Sequence, residues 1–530
     1  MDKQMNSVWH HKPGDRLYHP RRISRYGLRR VLGVSALFSV GYGNVGSSIY
    51  YALGIIALVA LGATPIVLGI AGIIYIFNAL TYAEGTAMLP EAGGSASFAR
   101  HGFNDAIGFI AGWALMLSYI ATVAISAYTI PPYLAYFWPI LKEPAVGTTV
   151  SIGIIGFLML VNIFGVRESS RLNTFFILID IAALITLIIL GIVLILGPNP
   201  TALFQNMFGE GNWPSTQNLI YGVAIAALCF TGVETVSQLA QETRQPEKRI
   251  PQAYILMIVV VLILFAGISI VALSAMTPQE LTNDWARDPV AGIANSISLA
   301  ITPEKLATGI TTEPALIIVL TWLFEGIHTL LPILVASLAA TILLTATNAG
   351  VMGISRLAFN MSSHRQLPIG LSRIHHRFRT PHVAIIIFCL AALLLLIPDF
   401  FNPLFFEDLG AIYVFGSLFA FALAHAAILA LRIRKPELHR PFKLRGNLRV
   451  RGRELPITAI LGLITTLAVW LVVMVTQPYS RWAGITWMIL GLIIYFEYRR
   501  TQHLPLTHIK KTSAPHNEQN QLGKESEAGQ

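Results

Sequence analysis

About twelve apolar stretches, each long enough to cross a lipid bilayer as a helix, follow one another along this chain. A helix of about 20 residues spans the hydrocarbon core, where every backbone polar group must bond within the chain. Only 12% of the residues are charged, compared with about 25% in soluble domains. The pattern therefore predicts an all-α polytopic protein embedded in a lipid bilayer. The expected spans are residues 31–59, 66–83, 105–134, 147–165, 172–197, 216–240, 253–276, 330–358, 383–398, 409–432, 456–476 and 482–498.

The distribution of basic residues predicts the topology. With the N-terminus in the cytoplasm, 33 of the 37 Lys and Arg residues fall on cytoplasmic segments. Because basic residues near the membrane resist translocation, this asymmetry predicts twelve helices with both termini inside. The expected location is the plasma (inner) membrane of a prokaryote. The net charge of +10 is then a feature of the topology, and no nucleic acid partner is expected. The four basic residues of the outer loops are Lys142, Arg287, Lys305 and Arg481.

The two ends of the chain are polar. Residues 1–30 are basic and carry no apolar run, so we expect a cytoplasmic N-terminus and no cleavable signal peptide. Residues 503–530 are too polar to fold alone, and we expect a disordered tail. The two cysteines, Cys229 and Cys389, lie in separate spans without metal-ligand spacing, so they are interpreted as buried apolar residues, and no metal site is expected.

The first span contains a run of small residues at its centre. Gly41, Gly43 and Gly46 lie within the segment FSVGYGNVGSSIYYALG, residues 38–54. Such a run favours unwound backbone, although small residues also allow two helices to pack closely. The three glycines satisfy GxGxxG, but a dinucleotide site requires that motif between a strand and a helix, and here membrane-length apolar sequence flanks it.

A second interruption lies in the sixth span, where Thr231 and Gly232 precede Glu234. Two interruptions five spans apart indicate an inverted repeat of five plus five helices, with helices one and six broken. The expected repeats are residues 31–197 and 216–432, followed by two peripheral helices at 456–498. Free amide groups at such breaks can bind a carboxylate, and free carbonyls an ammonium group. The pattern favours a transporter over an enzyme or a channel, because neither catalytic motif spacing nor a repeated pore loop is found.

Six motifs, in the same order, resemble the permeases of the amino acid, polyamine and organocation superfamily. The resemblance covers about residues 31–445 and implies a central amino acid site inside ten core helices with two peripheral ones. The motifs are GNVGSSIY (43–50), PEAGGSASFARHGFNDAIGFIAGW (90–113), GVRESSRLN (165–173), FTGVETVSQLAQETRQPEKRIP (230–251), ATNAGVMGISRLAFNMSSHRQLP (346–368) and RKPELHRPFK (434–443).

The resemblance also implies which residues bind the substrate, through their backbone groups. Ser48, Val233 and Ser118 depart from the superfamily pattern, which leaves the side-chain specificity open. The first break would hold the α-carboxylate and part of the α-amine, and the second break the rest of the amine. The implied residues are Asn44, Val45, Gly46, Ser47 and Ser48 in the first break, and Phe230, Thr231, Gly232 and Val233 in the second.

Ionisable and hydroxyl groups inside the spans are candidates for coupling to H⁺ or Na⁺, the only cofactors expected. Asp180 either couples transport to an ion or makes a static hydrogen bond, and Glu234 either gates by exchanging protons or braces the break. Thr345 and Thr347 either supply hydroxyl ligands to sodium or bond their own helix carbonyls. His425 is interpreted as a packed, hydrogen-bonded histidine rather than a proton relay.

The leading functional prediction is a gradient-driven amino acid permease or an exchanger. Potassium uptake by the same fold is an alternative, although those permeases carry aspartate where Asn44 stands. A nutrient sensor is a further alternative, but no signalling domain is evident. No disulfide-linked heavy chain is expected, because residues 131–147 contain no cysteine. The external loop at 277–329 contains the apolar run ALIIVLTWLF, which is either a surface-lying lid or a packing element.

Overall fold

The computed structural model describes residues 30–165, 170–196, 200–300, 314–402, 405–444, 446–450 and 452–507. The predictions for residues 1–29, for most of the polar tail and for Lys305 lie outside the described residues. The α-helices are α1 Val34–Gly46, α2 Ile49–Ala60, α3 Thr64–Met88, α4 Ser95–Gly102, α5 Asp105–Leu134, α6 Pro144–Phe164, α7 Ser170–Leu196, α8 Ala202–Phe208, α9 Thr216–Ala226, α10 Thr235–Gln238, α11 Pro246–Ala275, α12 Pro278–Asn283, α13 Pro289–Ala300, α14 Pro314–Ser363, α15 His382–Leu396, α16 Phe405–Arg434, α17 Ile457–Thr476 and α18 Pro478–Thr501.

Ten helical stretches of the described chain are long and apolar enough to span a membrane, which confirms a helical polytopic architecture. The continuous stretch Val34–Met88, 55 residues long, is counted as one of the ten. Helices α5, α9–α10 and α16 lie at the centre, because most of their side chains are buried. Helices α6 and α17 present apolar side chains outward, as Phe157 and Ile464 do, and are peripheral. Such outward apolar faces are suited to contact with lipid rather than water.

The two interruptions differ in extent. The helix that begins at Val34 continues through Gly41 and Gly43 and is interrupted only at Ser47 and Ser48, whose torsion angles remain helical. The prediction of unwound backbone over the whole glycine run was therefore too broad. In the other helix, a 3₁₀ turn at Ala227–Phe230 leads into extended backbone at Thr231 and then Gly232, whose φ of +98° belongs to glycine. This second break is the wider one.

In the described part of the loop expected at 277–329, which excludes residues 301–313, most residues are helical. Helix α12 begins with a capping box in which Thr277 and Glu280 satisfy each other's backbone N–H groups. The run ALIIVLTWLF, residues 315–324, forms the first part of the 50-residue helix α14 and is continuous with the eighth predicted span. The helix runs on through Gly326 and Pro332 without a break. The run is therefore part of a long helix and not of a loop, and the start expected for the eighth span, residue 330, was too late.

A small β-hairpin adds to the predicted all-α fold. Strands β1 Asn447–Val450 and β2 Arg453–Pro456 pair antiparallel in the loop between α16 and α17. Because the two strands lie in a polar connection, the hairpin does not alter the architecture of the spans.

The face of the bundle where α1 begins and α3 ends, here called the N-terminal face, is closed by backbone pairing. The N–H groups of Val31 and Leu32 both donate to the carbonyl of Glu242, at 2.8 and 3.0 Å, and the N–H of Arg244 donates to the carbonyl of Leu32 at 3.0 Å. The Glu242 carboxylate contacts Arg356 of α14 at 2.9 Å. The start of α1 is thus fastened to the segment between α10 and α11, and through it to α14.

Candidate functional site

The two interrupted helices meet at their interruptions in the buried centre. The Asn44 side-chain amide donates to the Thr235 hydroxyl at 2.6 Å, and the Ser48 hydroxyl lies 2.5 Å from the carbonyl of Cys229. A Cβ atom on Gly232 would lie 2.8 Å from the Asn44 Nδ2 atom. The structure therefore brings together the two segments that the sequence separates by almost 190 positions.

Glu234 holds the second break in shape. One carboxylate oxygen accepts the N–H of Gly232 at 3.0 Å, and the other has no hydrogen-bond partner within the described structure. The side chain is fully buried. Five buried tyrosines lie within electrostatic range of this carboxylate, namely Tyr51, Tyr82, Tyr119, Tyr254 and Tyr413. The backbone N–H contact of Glu234, one of the two alternatives that the sequence left open, is therefore present. The second carboxylate oxygen remains as a hydrogen-bond acceptor without a partner in the described structure.

Other polar atoms near the breaks also have no partner among the described residues. The carbonyl oxygen of the Asn44 side chain and both amide atoms of Gln238 are buried without a hydrogen bond. Because buried polar groups in native proteins are almost always bonded, such atoms require a ligand or water. The centre thus offers both acceptors and donors, the combination that a zwitterion needs.

The remaining residues implied at the breaks are packed tightly. Val45, Ser47, Thr231 and Val233 are fully buried, and Phe230 stacks on Tyr75 with ring centroids 5.2 Å apart. The Ser47 and Thr231 hydroxyls donate to backbone carbonyls three residues earlier, which satisfies part of each interrupted turn.

Asp180 of α7 lies against the first broken helix. Its two carboxylate oxygens accept hydroxyl hydrogen bonds from Tyr42 at 3.2 Å and from Tyr50 at 2.5 Å. Tyr42 precedes the interruption and Tyr50 follows it, so a single carboxylate links both halves of the broken helix. Sequence reasoning singled out Asp180 but missed both tyrosines, because nothing in the pattern shows which face of α1 and α2 meets α7.

The structure does not bring the two predicted threonines to one site. Thr345 and Thr347 each donate to a carbonyl of α14 four residues earlier, at 3.0 and 2.8 Å. Two residues along an α-helix are separated by about 200° around its axis, so the hydroxyls point in nearly opposite directions. The methyl group of Thr345 lies near Gly43, but its hydroxyl is engaged within its own helix.

His425 is buried between helices. Its ring nitrogens lie 2.9 Å from the Thr81 hydroxyl and 2.8 Å from the Asn78 side-chain oxygen, and Gly462 of α17 packs directly on the ring. This environment matches the interpretation as a packed, hydrogen-bonded histidine. Among the residues that the structure describes, no group of three or more His, Cys, Asp or Glu side chains is arranged to hold a metal ion. The described Cys229 and Cys389 are buried.

Membrane-length helices around a buried polar centre, with interrupted backbone at that centre, are the architecture of a multi-pass membrane transporter. The family model for amino acid permeases matches residues 32–496, and the chain belongs to that family. The resemblance found in the six motifs is thereby confirmed.

Three relatives are similar along nearly their whole length. The branched-chain amino acid permease BcaP of Bacillus subtilis is 25% identical, with 89% of this chain and 94% of the relative covered. The methylthioribose transporter of Bacillus subtilis is 26% identical, with 94% and 99% covered. The large neutral amino acids transporter small subunit 2 of the mouse is 26% identical, with 95% and 88% covered. All three are described as transporters or permeases rather than enzymes.

Proposed function

We propose that this protein is a secondary transporter that carries amino acids across the membrane by alternating access. The observation that carries the proposal is the meeting of the two helix breaks at a buried centre with unsatisfied polar atoms. The backbone of residues 44–48 would receive the α-carboxylate, and the segment 230–233 the α-ammonium. A neutral amino acid is the substrate class that we infer, because two of the relatives described above are named for branched-chain or large neutral amino acids.

The topology that goes with this function is twelve crossings in a five-plus-five inverted repeat. The stretch Val34–Met88 supplies two crossings, since α1–α2 runs away from the N-terminal face and α3 returns to it. Helix α18 supplies the twelfth. The repeats are residues 31–197 and 216–432, and residues 456–498 form the peripheral pair. The distribution of basic residues supports a plasma-membrane protein with the N-terminal face in the cytoplasm.

Asp180 is the residue that we assign to coupling, with a proton as the ion. A carboxylate that is buried and held by two neutral hydroxyls is costly inside a membrane, and protonation removes that cost. Sodium is less well supported, because the Thr345 and Thr347 hydroxyls point in nearly opposite directions from α14 and so do not meet at one site. Since Tyr42 and Tyr50 lie on opposite sides of the break, protonation of Asp180 would change the contacts of both halves of the helix.

Glu234 has the second role, as a brace of the wider break. Its bond to the Gly232 N–H occupies one oxygen, and the free oxygen is available to the substrate ammonium or to a proton. Substitution of Glu234 by Gln would then flatten the pH dependence of uptake if the residue also gates the cycle.

Uptake by the purified protein in proteoliposomes tests the proposal. A labelled amino acid mixture and Rb⁺ are offered in parallel, with and without an imposed pH gradient. Amino acid accumulation that collapses with the gradient supports a proton-coupled permease, and Rb⁺ uptake alone would make the protein a potassium permease. Binding without movement of either would indicate a sensor.

The coupling role of Asp180 has a matched control in Asp399. Asp399 is also buried and also accepts two hydroxyls, from Tyr128 at 2.8 Å and from Thr148, but it lies outside the centre. Asp180→Asn should abolish gradient-driven uptake and leave exchange intact, whereas Asp399→Asn should keep the gradient dependence. Normal gradient dependence in Asp180→Asn would reject the assignment.

A further inference from the structure

A cavity of about 230 Å³ opens on the face opposite the N-terminal face. It lies between the end of α5, the start of α6 and the connection from α12 to α13. This volume is below the ~300–1,000 Å³ of pockets for drug-sized ligands, so the cavity suits a small one. Its walls contain two cations and three carboxylates, which are Lys142, Arg287, Glu143, Asp284 and Asp288.

These charged side chains form no direct ion pair with one another among the described residues, although Lys142 and Arg287 attract the Asp288 carboxylate at longer range. All eight contacts between basic and acidic side chains within 4.0 Å that the described residues make lie at the N-terminal face, and none involves the cavity. Asp288 is buried, with 8% of its surface exposed, so its carboxylate faces the cavity with little access to water. Unpaired charges of both signs around one small volume match a ligand that also carries both signs.

The two cations are held in position by aromatic rings. The Lys142 ammonium lies 5.9 Å from the Trp285 ring centroid, and the Arg287 guanidinium lies 5.7 Å from that of Tyr128. A cation–π contact orients a cation without cancelling its charge, so both cations remain free to attract a carboxylate. Two of the four basic residues expected in the outer loops thus line a single cavity.

The cavity wall is connected to the centre of the protein. The Val290 N–H donates to the Tyr133 hydroxyl at 3.3 Å, and that hydroxyl donates to the Tyr50 carbonyl at 2.7 Å. Tyr50 in turn donates to Asp180. The Ala286 carbonyl lies so close to Gly54 of α2 that a Cβ atom there would be 1.9 Å away. The wall therefore rests on the same helix that carries the first break.

We propose that this cavity is a second binding site, which captures the zwitterionic head group of an amino acid before the amino acid reaches the central site. Arg287 and Lys142 receive the carboxylate, and Asp288 receives the ammonium group. The identity of the ligand as an amino acid rests on the proposed function. Through Tyr133 and Tyr50, occupancy of the cavity biases the position of the first broken helix.

Equilibrium binding of labelled L-leucine to the purified protein in nanodiscs tests this site. Gly232→Ala removes the central site, so binding that remains in this variant reports the cavity. Adding Arg287→Gln or Asp288→Asn to Gly232→Ala should weaken the remaining binding by about tenfold, because one charge of a desolvated pair is removed. Arg287→Lys should restore most of it. Leucinamide lacks the carboxylate and N-acetylleucine lacks the ammonium group, so neither should compete well.

Arg481 provides the matched control. It lies on the same face, 5.8 Å from the Trp482 ring, and does not line the cavity. Arg481→Gln should therefore bind L-leucine as the wild type does. Unchanged binding in both cavity variants, each with a native elution profile, would overturn the inference.

The outcomes separate this inference from the proposed function. Transport by the wild type together with no residual binding in Gly232→Ala would refute the second site and leave the function standing. Binding that depends on Arg287 but without any transport would refute the function and leave the site standing. Absence of both binding and transport would refute both.

Tyr133→Phe tests the connection to the centre. Loss of its hydroxyl breaks the contacts to Val290 and Tyr50 but leaves all five charged groups in place. L-leucine binding to the cavity should be retained, while uptake falls severalfold. Unchanged uptake would reject the connection.

Discussion

The two faces of this protein differ in whether their charged side chains form ion pairs. All the ion pairs that the described residues form lie at the N-terminal face. The most buried of them joins Glu84 of α3 to Arg432 of α16 through two hydrogen bonds of 2.8 and 2.7 Å. At the opposite face, five charged side chains line one cavity and none is paired. The comparison teaches that ion pairs and backbone bonds join the helices at one face, whereas the charged side chains of the cavity at the other form no ion pair among the described residues, which is why we propose a ligand there.

Three sets of contacts hold the helices together at the N-terminal face. Backbone bonds join residues 31–32 to 242–244, and Glu242 contacts Arg356. Glu91, between α3 and α4, contacts Arg100 and His101; although burial raises the pKa of its carboxyl, these partners lower it to about 2. A carboxylate with that pKa stays ionised throughout the physiological range, so its ion pair with Arg100 does not depend on pH there.

The largest expected effect comes from breaking the buried pair on the closed face. Glu84→Gln leaves the Arg432 guanidinium, only 3% exposed, without its carboxylate. The free energy of unfolding should fall by about 3–5 kcal/mol, measured by thermal unfolding in detergent. Arg449→Gln is the control, because Arg449 is 82% exposed in its contact with Glu454 and its loss should change little. Equal effects of the two would contradict the importance of the buried pair.

The second-largest expected effect comes from displacing the cavity wall at the opposite face. Gly54→Leu places a side chain where the Ala286 carbonyl lies, so the connection from α12 to α13 must move away from α2. Such overpacking should cost about 1–3 kcal/mol of stability and should displace the cavity wall, seen as loss of residual L-leucine binding in the Gly232→Ala background. Gly69→Leu is the control, since a Cβ atom there meets nothing within 4 Å. Retained binding in Gly54→Leu would show that the wall does not rest on α2.

A smaller effect should follow from removing the contact between Glu242 and Arg356 at the N-terminal face. Its contact with Arg356 is partly exposed, so Arg356→Gln should remove only about 0.2–1 kcal/mol of closure energy. A cysteine placed at the buried Ser237 should then react with a thiol reagent up to about fivefold faster than in the parent. Lys443→Gln, which removes an exposed contact with Glu454, should leave the rate unchanged. No acceleration in Arg356→Gln would mean that the backbone bonds alone close this face.

The smallest effect is a pH dependence of the cavity. Burial raises the pKa of Asp288 to about 7, although Lys142, the residue's own N–H and Arg287 lower it in part. Tyr133 also faces Asp288, and Glu143 and Asp284 share the cavity. Asp288 gains a proton as the pH falls from 8 to 6, so its attraction for an ammonium group is lost in that range.

Residual L-leucine binding in Gly232→Ala should therefore weaken by about threefold between pH 8 and pH 6. The same variant with Asp288→Asn should show no pH dependence over this range. Binding that strengthens on acidification would contradict the role of Asp288.

The sequence predicted much of the fold because lipid imposes simple rules. Span length and glycine runs need no knowledge of tertiary contacts, so the helical polytopic architecture and the break at Gly232 were predicted correctly. The narrowness of the first break was not predicted, because the sequence does not show that the Tyr42 ring packs over Gly46 within a continuous helix. Neither the Glu84–Arg432 pair, which spans almost 350 positions, nor the cavity could be found, because both depend on long-range contacts.

The central site also depends on long-range contacts that the sequence does not reveal. Asp180 stood out because an acidic residue in a span is rare, but its partners Tyr42 and Tyr50 are ordinary residues in an apolar helix. The contact between Tyr42 and Gly46 also affects experimental design. Gly46→Leu would push Tyr42 away from Asp180 and so perturb the proposed substrate and ion sites together, whereas Gly232→Ala presses on Asn44 rather than on Tyr42.

The most direct test of the central claim is amino acid uptake by Gly232→Ala in proteoliposomes. The alanine would be strained at a φ of +98° and would press on Asn44, where the two breaks meet. Gly211→Ala is the matched control, with a φ of +80° but open space around it. We predict that Gly232→Ala folds yet loses uptake, whereas Gly211→Ala transports as the wild type does. Wild-type uptake by Gly232→Ala would contradict an amino acid site at the breaks.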